Sequence, residues 1–259
     1  MSIGPTRRKT PQAKRGLSED VKPSSSERRS GQMDRAGGLS RRTMVLGVGA
    51  VALAGCQMTP EVAVVPSRPV IPPDVALMYG PRPNERFPIP AVDLSQIEPQ
   101  YWRRLVPDPT GERPGTIVVD TANKFLYLVR DDGQALRYGI GVGRQGFSWS
   151  GTAIIRRKQA WPIWTPPAEM IAREPELEEY RNGMPPGLGN ALGARALYLY
   201  RNGKDTLYRL HGTQQEYSIG RAVSSGCVRL INQDIIDLFD RVPIGTRVMV
   251  RPPDEPLEA

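Results

Sequence analysis

The chain has 259 residues, of which 39% are hydrophobic and 24% charged, and its formal net charge is +8. Residues 1–42 hold 11 Lys and Arg against 4 Asp and Glu, so the remaining residues carry 24 basic and 23 acidic side chains. Because the positive charge belongs to this tail and not to a patch on a folded domain, composition argues against nucleic-acid binding.

Residues 1–56 are predicted to be a basic leader and signal peptide. An Arg-Arg pair at 41–42 resembles a twin-arginine export signal. The uncharged stretch over 43–55 is too short to span a bilayer but has the length of a signal-peptide core. The Leu-Ala-Gly-Cys string at 53–56 resembles a bacterial lipobox, which predicts lipidation of Cys56 and attachment to a membrane by a lipid anchor.

Other interpretations of the leader stay open. Cleavage after Ala54 would give an exported protein without lipid, and an uncleaved anchor is a third possibility. Met33 is a second candidate start. Gln57, directly after the lipidated cysteine, favours the outer membrane if the host has two membranes.

Residues 57–114 are predicted to form a proline-rich spacer that lifts a domain off a surface. Proline pairs and Val-Pro or Ile-Pro steps favour extended, semi-rigid backbone. A short helix between residues 93 and 106 is only weakly indicated, and parts of the spacer could pack on the domain.

Residues 115–252 are predicted to form one mostly β domain, and residues 253–259 a C-terminal tail. Short β-branched and aromatic runs alternate with turn residues, as in hairpins. A helix with Ile235, Ile236, Leu238 and Phe239 on one face is expected near the end, capped by Asn232 or Asp234. Strands are predicted over residues 116–120, 124–130, 135–142, 195–200, 206–210 and 246–251.

A Pro- and Gly-rich insertion over residues 161–192 interrupts the strands. A loop of this length within a compact domain is usually a functional lid or is disordered. Trp161, Trp164 and Met170 could line a lid or a donor groove, with packing as the alternative. Its acidic run over 174–179 is interpreted as a solvated helix face rather than a metal site.

The chemistry of the chain is expected at its only histidine, His211, and at Cys227, sixteen positions later. A cysteine attacks as the thiolate, and an imidazole can remove its proton. Gly226 lacks a side chain beside the nucleophile, so the backbone N–H groups of Gly226 and Cys227 are candidates for an oxyanion hole. One Cys and one His are too few for a usual zinc site, and we expect no metal and no cofactor.

The letters around this pair resemble the signature of the L,D-transpeptidase (YkuD-type) family. The matching strings are His211-Gly212-Thr213 and Ser224-x-Gly226-Cys227-Val228-Arg229-Leu230-x-Asn232. The resemblance extends over residues 115–252. It implies an L,D-transpeptidase-like β-sandwich with one or two short helices and a lid loop, acting on peptidoglycan stem peptides.

The resemblance also implies roles for single residues. Cys227 would attack the carbonyl of the third stem residue, a diamino acid, and expel the terminal D-alanine, with His211 as proton acceptor and donor. The carbonyl of Gly212 would orient His211. Arg229, Ser224 and Ser225 are expected at the substrate-binding part of the site. Arg229 would bind a substrate carboxylate or hold the loop, and Ser224 would orient the cysteine loop or form a turn. Ser225 stands where the family often has a second histidine.

The acyl acceptor is left open by the sequence. The thioester could pass to a stem amine, giving a 3→3 cross-link, or to a lysine of an outer-membrane protein. Water as acceptor would make the protein an L,D-carboxypeptidase or another hydrolase. A non-catalytic wall-binding lipoprotein is the alternative outside enzymes. The family resemblance further predicts acylation of Cys227 by carbapenems.

Overall fold

The computed structural model describes residues 70–143, 149–224 and 226–258, apart from the side chain of Ser224. The predicted leader with Cys56, and also Ser225, lie outside the described residues. Within these ranges no helix is long and apolar enough to cross a bilayer.

Eleven β-strands and three short α-helices make up the regular structure of the described residues. The helices are α1 (Pro73–Met78), α2 (Ala168–Arg173) and α3 (Asn232–Arg241). The strands are β1 (Arg104–Pro107), β2 (Ile117–Asp120), β3 (Phe125–Val129), β4 (Gln134–Gly139), β5 (Val142–Gly143), β6 (Gly151–Ala160), β7 (Arg195–Arg201), β8 (Lys204–Thr213), β9 (Ala222–Ser224), β10 (Val228–Ile231) and β11 (Arg247–Arg251). Single 3₁₀ turns lie at Leu94–Gln96, Pro99–Tyr101, Pro175–Tyr180 and Glu216–Ser218.

Nine strands form one sheet in the order β1-β4-β3-β2-β11-β6-β7-β8-β10, while β5 and β9 pair separately. The sheet curls back on itself, because the chain after β4 reaches β10, where the backbones of Gly141 and Arg229 exchange two hydrogen bonds. The two halves thereby enclose one apolar core, to which α3 contributes Ile235 and Leu238. These two hydrogen bonds give β10, the last strand of the sheet, a partner on its otherwise open edge, and they hold the first residues of β10 in place.

The alternation of side chains along β7 separates this core from a second face. Leu197 and Leu199 point into the core. Ala196 and Tyr198 pack instead with Leu192 in a small cluster on the opposite side of the sheet. Because the side-chain period of a strand is two, the strands beside β7 present functional residues on that same second face.

The mostly β prediction, with one or two short helices between residues 115 and 252, is confirmed, and the structure has two, α2 and α3. The capping prediction for α3 is wrong, because the cap position is Ile231 and no side chain caps the helix. Asn232 and Asp234 are buried instead. The oxygen of Asn232 accepts from the N–H of Ala194, and that of Asp234 accepts from the hydroxyl of Tyr79.

Residues 70–107 of the predicted spacer pack on the domain, which is the alternative that the sequence left open. β1 pairs with β4, and an apolar cluster joins Val75, Tyr79 and Trp102 to Ile219 and Ile231 of the domain. The proline spacing masked this role, because isolated apolar residues between prolines carry no periodic signal. The C-terminal tail also packs, since Leu257 is buried and its N–H donates to Asp120.

Candidate active site

His211 lies near the end of β8, between β7 and β10. Its backbone is in register with Ala196 on one side and with Arg229 on the other. Its side chain is buried, and Nδ1 lies 2.9 Å from the carbonyl oxygen of Gly212. Since a carbonyl only accepts, Nδ1 must carry the proton in the neutral ring. Nε2 is then the basic nitrogen of His211.

The protonation of His211 follows from its burial. Burial lowers the pKa of His211 to about 4, with small further decreases from the charges of Arg229 and Arg209. The bond to the Gly212 carbonyl acts in the opposite direction and is weaker. The imidazole is therefore neutral at pH 7 and able to accept a proton.

Cys227 directly precedes β10, which runs parallel to β8. Extension of the pairing of Val228 with Leu210 places Cys227 beside Arg209. The thiol Sγ lies 3.8 Å from the backbone oxygen of Leu207, to which it donates. Burial raises the pKa of Cys227, while the backbone of Arg209 and the charges of Arg209 and Arg229 oppose that rise. The thiol form dominates at neutral pH.

A bulge in β8 brings the Leu207 carbonyl to the thiol. The register shifts between Tyr198 and Tyr200, so that three residues of β8 face one residue of β7. Leu207 has a φ of 62°, the left-handed region that costs a non-glycine residue roughly 1–2 kcal/mol. Asp205 stabilises the bulge by accepting the N–H of Leu207 at 2.8 Å. Sequence reasoning missed this feature, because the pairing of β7 with β8 sets the bulge and Asp205 lies only two residues after the Asn-Gly turn.

Gly212 is in close contact with the start of α3. A Cβ added at Gly212 would overlap Oδ1 of Asn232, and it would lie 3.0 Å from both the backbone nitrogen of Ala194 and a methyl group of Ile235. The backbone beside His211 is therefore set by the buried amide of Asn232, which also holds Ala194. This contact links a helix residue to the orientation of the imidazole.

His211 and Cys227 open into the same cavity of about 740 Å³. One wall is the second face of the sheet, and the other is the insertion between β6 and β7. Trp164 and Met170 line the cavity, and Trp164 also packs against the cluster of Leu192, Ala196 and Tyr198. Trp161 is instead buried against Phe87 and donates its indole N–H to Glu85. The predicted site residues on the cavity are His211, Gly226, Cys227 and Arg229.

Arg229 is half-buried at this cavity and its Nη1 donates to Oε1 of Gln215 at 3.0 Å. Among the described residues no carboxylate forms an ion pair with Arg229. Gly226 has a φ of 140°, a conformation that side chains disfavour. Ser224 belongs to β9. The cavity also includes residues that sequence reasoning did not single out, namely Arg157, Tyr198, Leu207 and Arg209.

The part of the chain that the structure describes contains no cluster of three or more His, Cys, Asp or Glu able to hold a metal. The acidic run at 174–179 forms a 3₁₀ turn with no buried residue. A histidine on one strand and a cysteine directly before the neighbouring strand, open to one cavity, are the arrangement found in enzymes that use a cysteine nucleophile.

Comparisons with known proteins identify the family of the chain. Residues 114–250 match the model of the YkuD family, the L,D-transpeptidase catalytic domain. The chain is 37% identical over 166 residues to the probable L,D-transpeptidase YbiS of Escherichia coli K12, covering 60% of this chain and 49% of that protein. It is 40% identical to a putative L,D-transpeptidase of Fuscovulum blasticum, covering 52% of this chain and 68% of that one.

One solved structure from Brucella melitensis, described as a probable carnitine operon oxidoreductase caia, is 48% identical. The match covers 60% of this chain and 96% of the Brucella melitensis chain, with a TM-score of 0.43. The chain spans about half the length of the Escherichia coli relative. The family match covers more than half of the chain, and the protein belongs to the L,D-transpeptidase catalytic domain family.

Proposed function

We propose that this protein is a peptidoglycan L,D-transpeptidase that forms a thioester at Cys227. The observation that carries the proposal is the bond between Nδ1 of His211 and the Gly212 carbonyl, in a cavity shared with Cys227. This hydrogen bond leaves Nε2 of His211 without a proton, so that Nε2 can act as a base on the strand next to Cys227. The donor is a tetrapeptide stem, as the family membership suggests.

In the first half-reaction Nε2 of His211 takes the proton of the Cys227 thiol while Sγ bonds to the carbonyl carbon of the third stem residue. The backbone N–H groups of Gly226 and Cys227 donate to the developing oxyanion. Collapse breaks the C–N bond, and the imidazolium gives its proton to the leaving D-alanine amine. The Gly212 carbonyl holds the ring in the required tautomer.

In the second half-reaction an amine attacks the thioester. Nε2 removes a proton from this amine, the C–N bond forms, the C–S bond breaks, and the proton returns to sulfur. The side-chain amine of another stem gives a 3→3 cross-link, and a protein lysine gives a link between protein and wall. Arg229, free of any carboxylate pair among the described residues, is assigned to a substrate carboxylate.

Export follows from this function, because the wall lies outside the inner membrane. We assign residues 1–56 to an export signal and Cys56 to lipid attachment, which would keep the enzyme in the cell envelope. Stable anchoring requires more than one acyl chain. Labelling of cells with a radioactive fatty acid should mark the protein, and a Cys56→Ala variant should lose the label.

Incubation of the purified protein with a disaccharide-tetrapeptide, followed by mass spectrometry, tests the proposed reaction. We expect a dimer that lacks one D-alanine, and we expect Cys227→Ala to remove it without lowering the unfolding temperature. Tripeptide without dimer would identify a hydrolase instead. An unchanged substrate, with Cys227 still acylated by a carbapenem, would show that the site is intact and the substrate assignment wrong.

A further inference from the structure

A row of side chains crosses the cavity wall from β6 to the nucleophile. Arg157 is in register with Tyr198, and Tyr198 with Arg209. Cys227 follows beside Arg209 when the pairing of β10 is extended by one residue. All four line the cavity. Neighbouring strands lie ~4.8 Å apart, so the backbones of Arg157 and Cys227 are separated by about 14 Å.

Tyr198 holds the two guanidinium groups of this row. The Cζ atoms of Arg157 and Arg209 each lie 4.5 Å from the centroid of its ring. An arginine stacked on an aromatic face keeps its N–H edges available for planar, bidentate hydrogen bonds. Its stacked geometry is also partly fixed in advance, which lowers the entropy lost when an anion binds.

The two arginines differ in their partners. Arg209 forms a bidentate pair with Asp205 at 2.7 and 2.8 Å, so its charge is compensated. Arg157 is exposed, and no carboxylate pairs with it in the described residues. The cavity thus offers two arginines without an acidic partner, Arg229 on the strand of Cys227 and Arg157 three strands away.

We infer that Arg157 binds the α-carboxylate of the γ-linked D-glutamyl residue in the donor stem. This inference rests on the proposed function. With the scissile carbonyl at Cys227, that carboxylate lies one γ-linked residue toward the N-terminus, roughly 7–9 Å away in an extended chain. The long side chain of Arg157 covers the rest of the distance along the row. Arg157 is then a residue that determines substrate specificity.

Two synthetic disaccharide-tetrapeptides test this inference, one with the free D-glutamyl carboxylate and one with the primary amide in its place. We expect wild-type kcat/KM to favour the carboxylate stem by about 10- to 100-fold, the range of a charge-assisted hydrogen bond. Arg157→Gln should bring the ratio close to one. Arg157→Lys should give an intermediate ratio, because lysine keeps the charge but loses the planar fork.

Arg156→Gln is the matched control. Arg156 is the extra residue at the register shift between Ile155 and Arg157, and it does not line the cavity, so its variant should keep the wild-type ratio. Equal rates with both stems in the wild type, or a preference that survives in Arg157→Gln, would overturn the inference.

Binding separates this inference from the proposed reaction. The two stems are titrated calorimetrically into Cys227→Ala protein, with and without Arg157→Gln. Tighter binding of the carboxylate stem that depends on Arg157, without turnover by the wild type, would leave the inference standing and refute the reaction. Turnover of both stems at equal rates with equal binding would refute the inference alone. Absence of binding by either stem would refute it too.

Discussion

Burial keeps both His211 and Cys227 neutral at pH 7, because it lowers the pKa of the imidazole to about 4 and raises that of the thiol. A thiolate–imidazolium pair would require both shifts in the opposite sense. The charges of Arg209 and Arg229 favour the thiolate but do not outweigh burial. The nucleophile is therefore expected to be generated during attack, by proton transfer to Nε2, and not to exist beforehand.

The rate of alkylation of Cys227 by iodoacetamide tests this assignment. Only the thiolate reacts, so the rate should be low at pH 7 and rise as one step above the ordinary cysteine pKa of about 8.5. A plateau between about pH 5 and 8, the signature of an ion pair, would contradict it. His211→Gln should leave the alkylation profile nearly unchanged and still abolish turnover, since the imidazole serves as a base only with substrate bound.

The single histidine and the cysteine of the site were predictable from the sequence, but the residues that surround them in the cavity were not. His211, Cys227, Gly226 and Arg229 were singled out from a lone histidine and a motif, and they meet at one cavity. Arg157 is one of many arginines in the chain. Its position relative to Cys227 depends on the register of three strand pairs, which no local pattern encodes. The Leu207 bulge is likewise set by tertiary pairing.

At the scale of elements, the pairing of β8 with β10 places His211 and Cys227 on one cavity, and α3 contacts the backbone beside His211. Six of the eleven strands were predicted, because apolar alternation and turn residues are local signals, whereas the other five, β6 and β10 among them, were not. The first turn of α3 was not, because Asn232 and Asp234 have capping side chains and yet bond elsewhere. Tertiary partners thus override the local preference of these residues.

Gly212→Ala should show how strongly α3 constrains the histidine. The new methyl group would overlap the amide oxygen of Asn232, and overpacking of this kind typically costs about 1–3 kcal/mol. A shift of His211 should also lower kcat/KM by on the order of 100-fold, as expected for a misplaced catalytic group. Thermal unfolding and D-alanine release measure the two effects.

Gly189→Ala is the control for this variant. A Cβ at Gly189 has no heavy atom within 4 Å, so stability and activity should stay close to the wild type. If Gly212→Ala kept full activity, then the carbonyl of residue 212 would not be needed to orient the imidazole.

At the scale of the whole molecule, residues 70–107 are part of the fold and hold α3 from outside. Tyr79 donates to Asp234 at 3.0 Å and accepts the backbone N–H of Arg103 at 2.7 Å. Arg103 pairs with Asp237 at 2.9 Å, and Tyr138 of β4 donates to the same carboxylate at 2.7 Å. This buried network joins the N-terminal segment, the sheet and the helix whose first residue contacts Gly212.

Because of this network, truncation of the chain can test at which residue the folded unit begins. The sequence predicts that boundary at residue 115, whereas the contacts of Tyr79 and Arg103 show that the folded unit extends at least as far back as Tyr79. A chain that starts at residue 115 would lack Tyr79 and Arg103, the hydrogen-bonding and positive partners of Asp234, and the loss of one partner of a buried pair destabilises a protein by about 3–5 kcal/mol. We therefore expect a chain starting at residue 70 to unfold cooperatively in urea at the midpoint of the longer protein, and one starting at 115 to unfold much earlier or aggregate.

Tyr79→Phe is the single-residue version of this test. It removes one hydroxyl and leaves the Arg103 N–H and an Asp234 oxygen without their partner, which should cost about 2–4 kcal/mol in the free energy of unfolding. Tyr217→Phe is the control, because Tyr217 is 48% exposed and its loss of a hydroxyl should cost little.

The pH dependence of the Tyr79→Phe effect follows from Asp234. Burial raises the pKa of Asp234 to about 7, above its unfolded value of about 3.9, so this carboxylate lowers the stability of the protein as the pH rises between these two values. The cost of Tyr79→Phe should then be larger at pH 8 than at pH 5, since only the ionised carboxylate needs the hydroxyl as a donor. An equal cost at both values would mean that Asp234 does not titrate in this interval and that the network acts by packing alone.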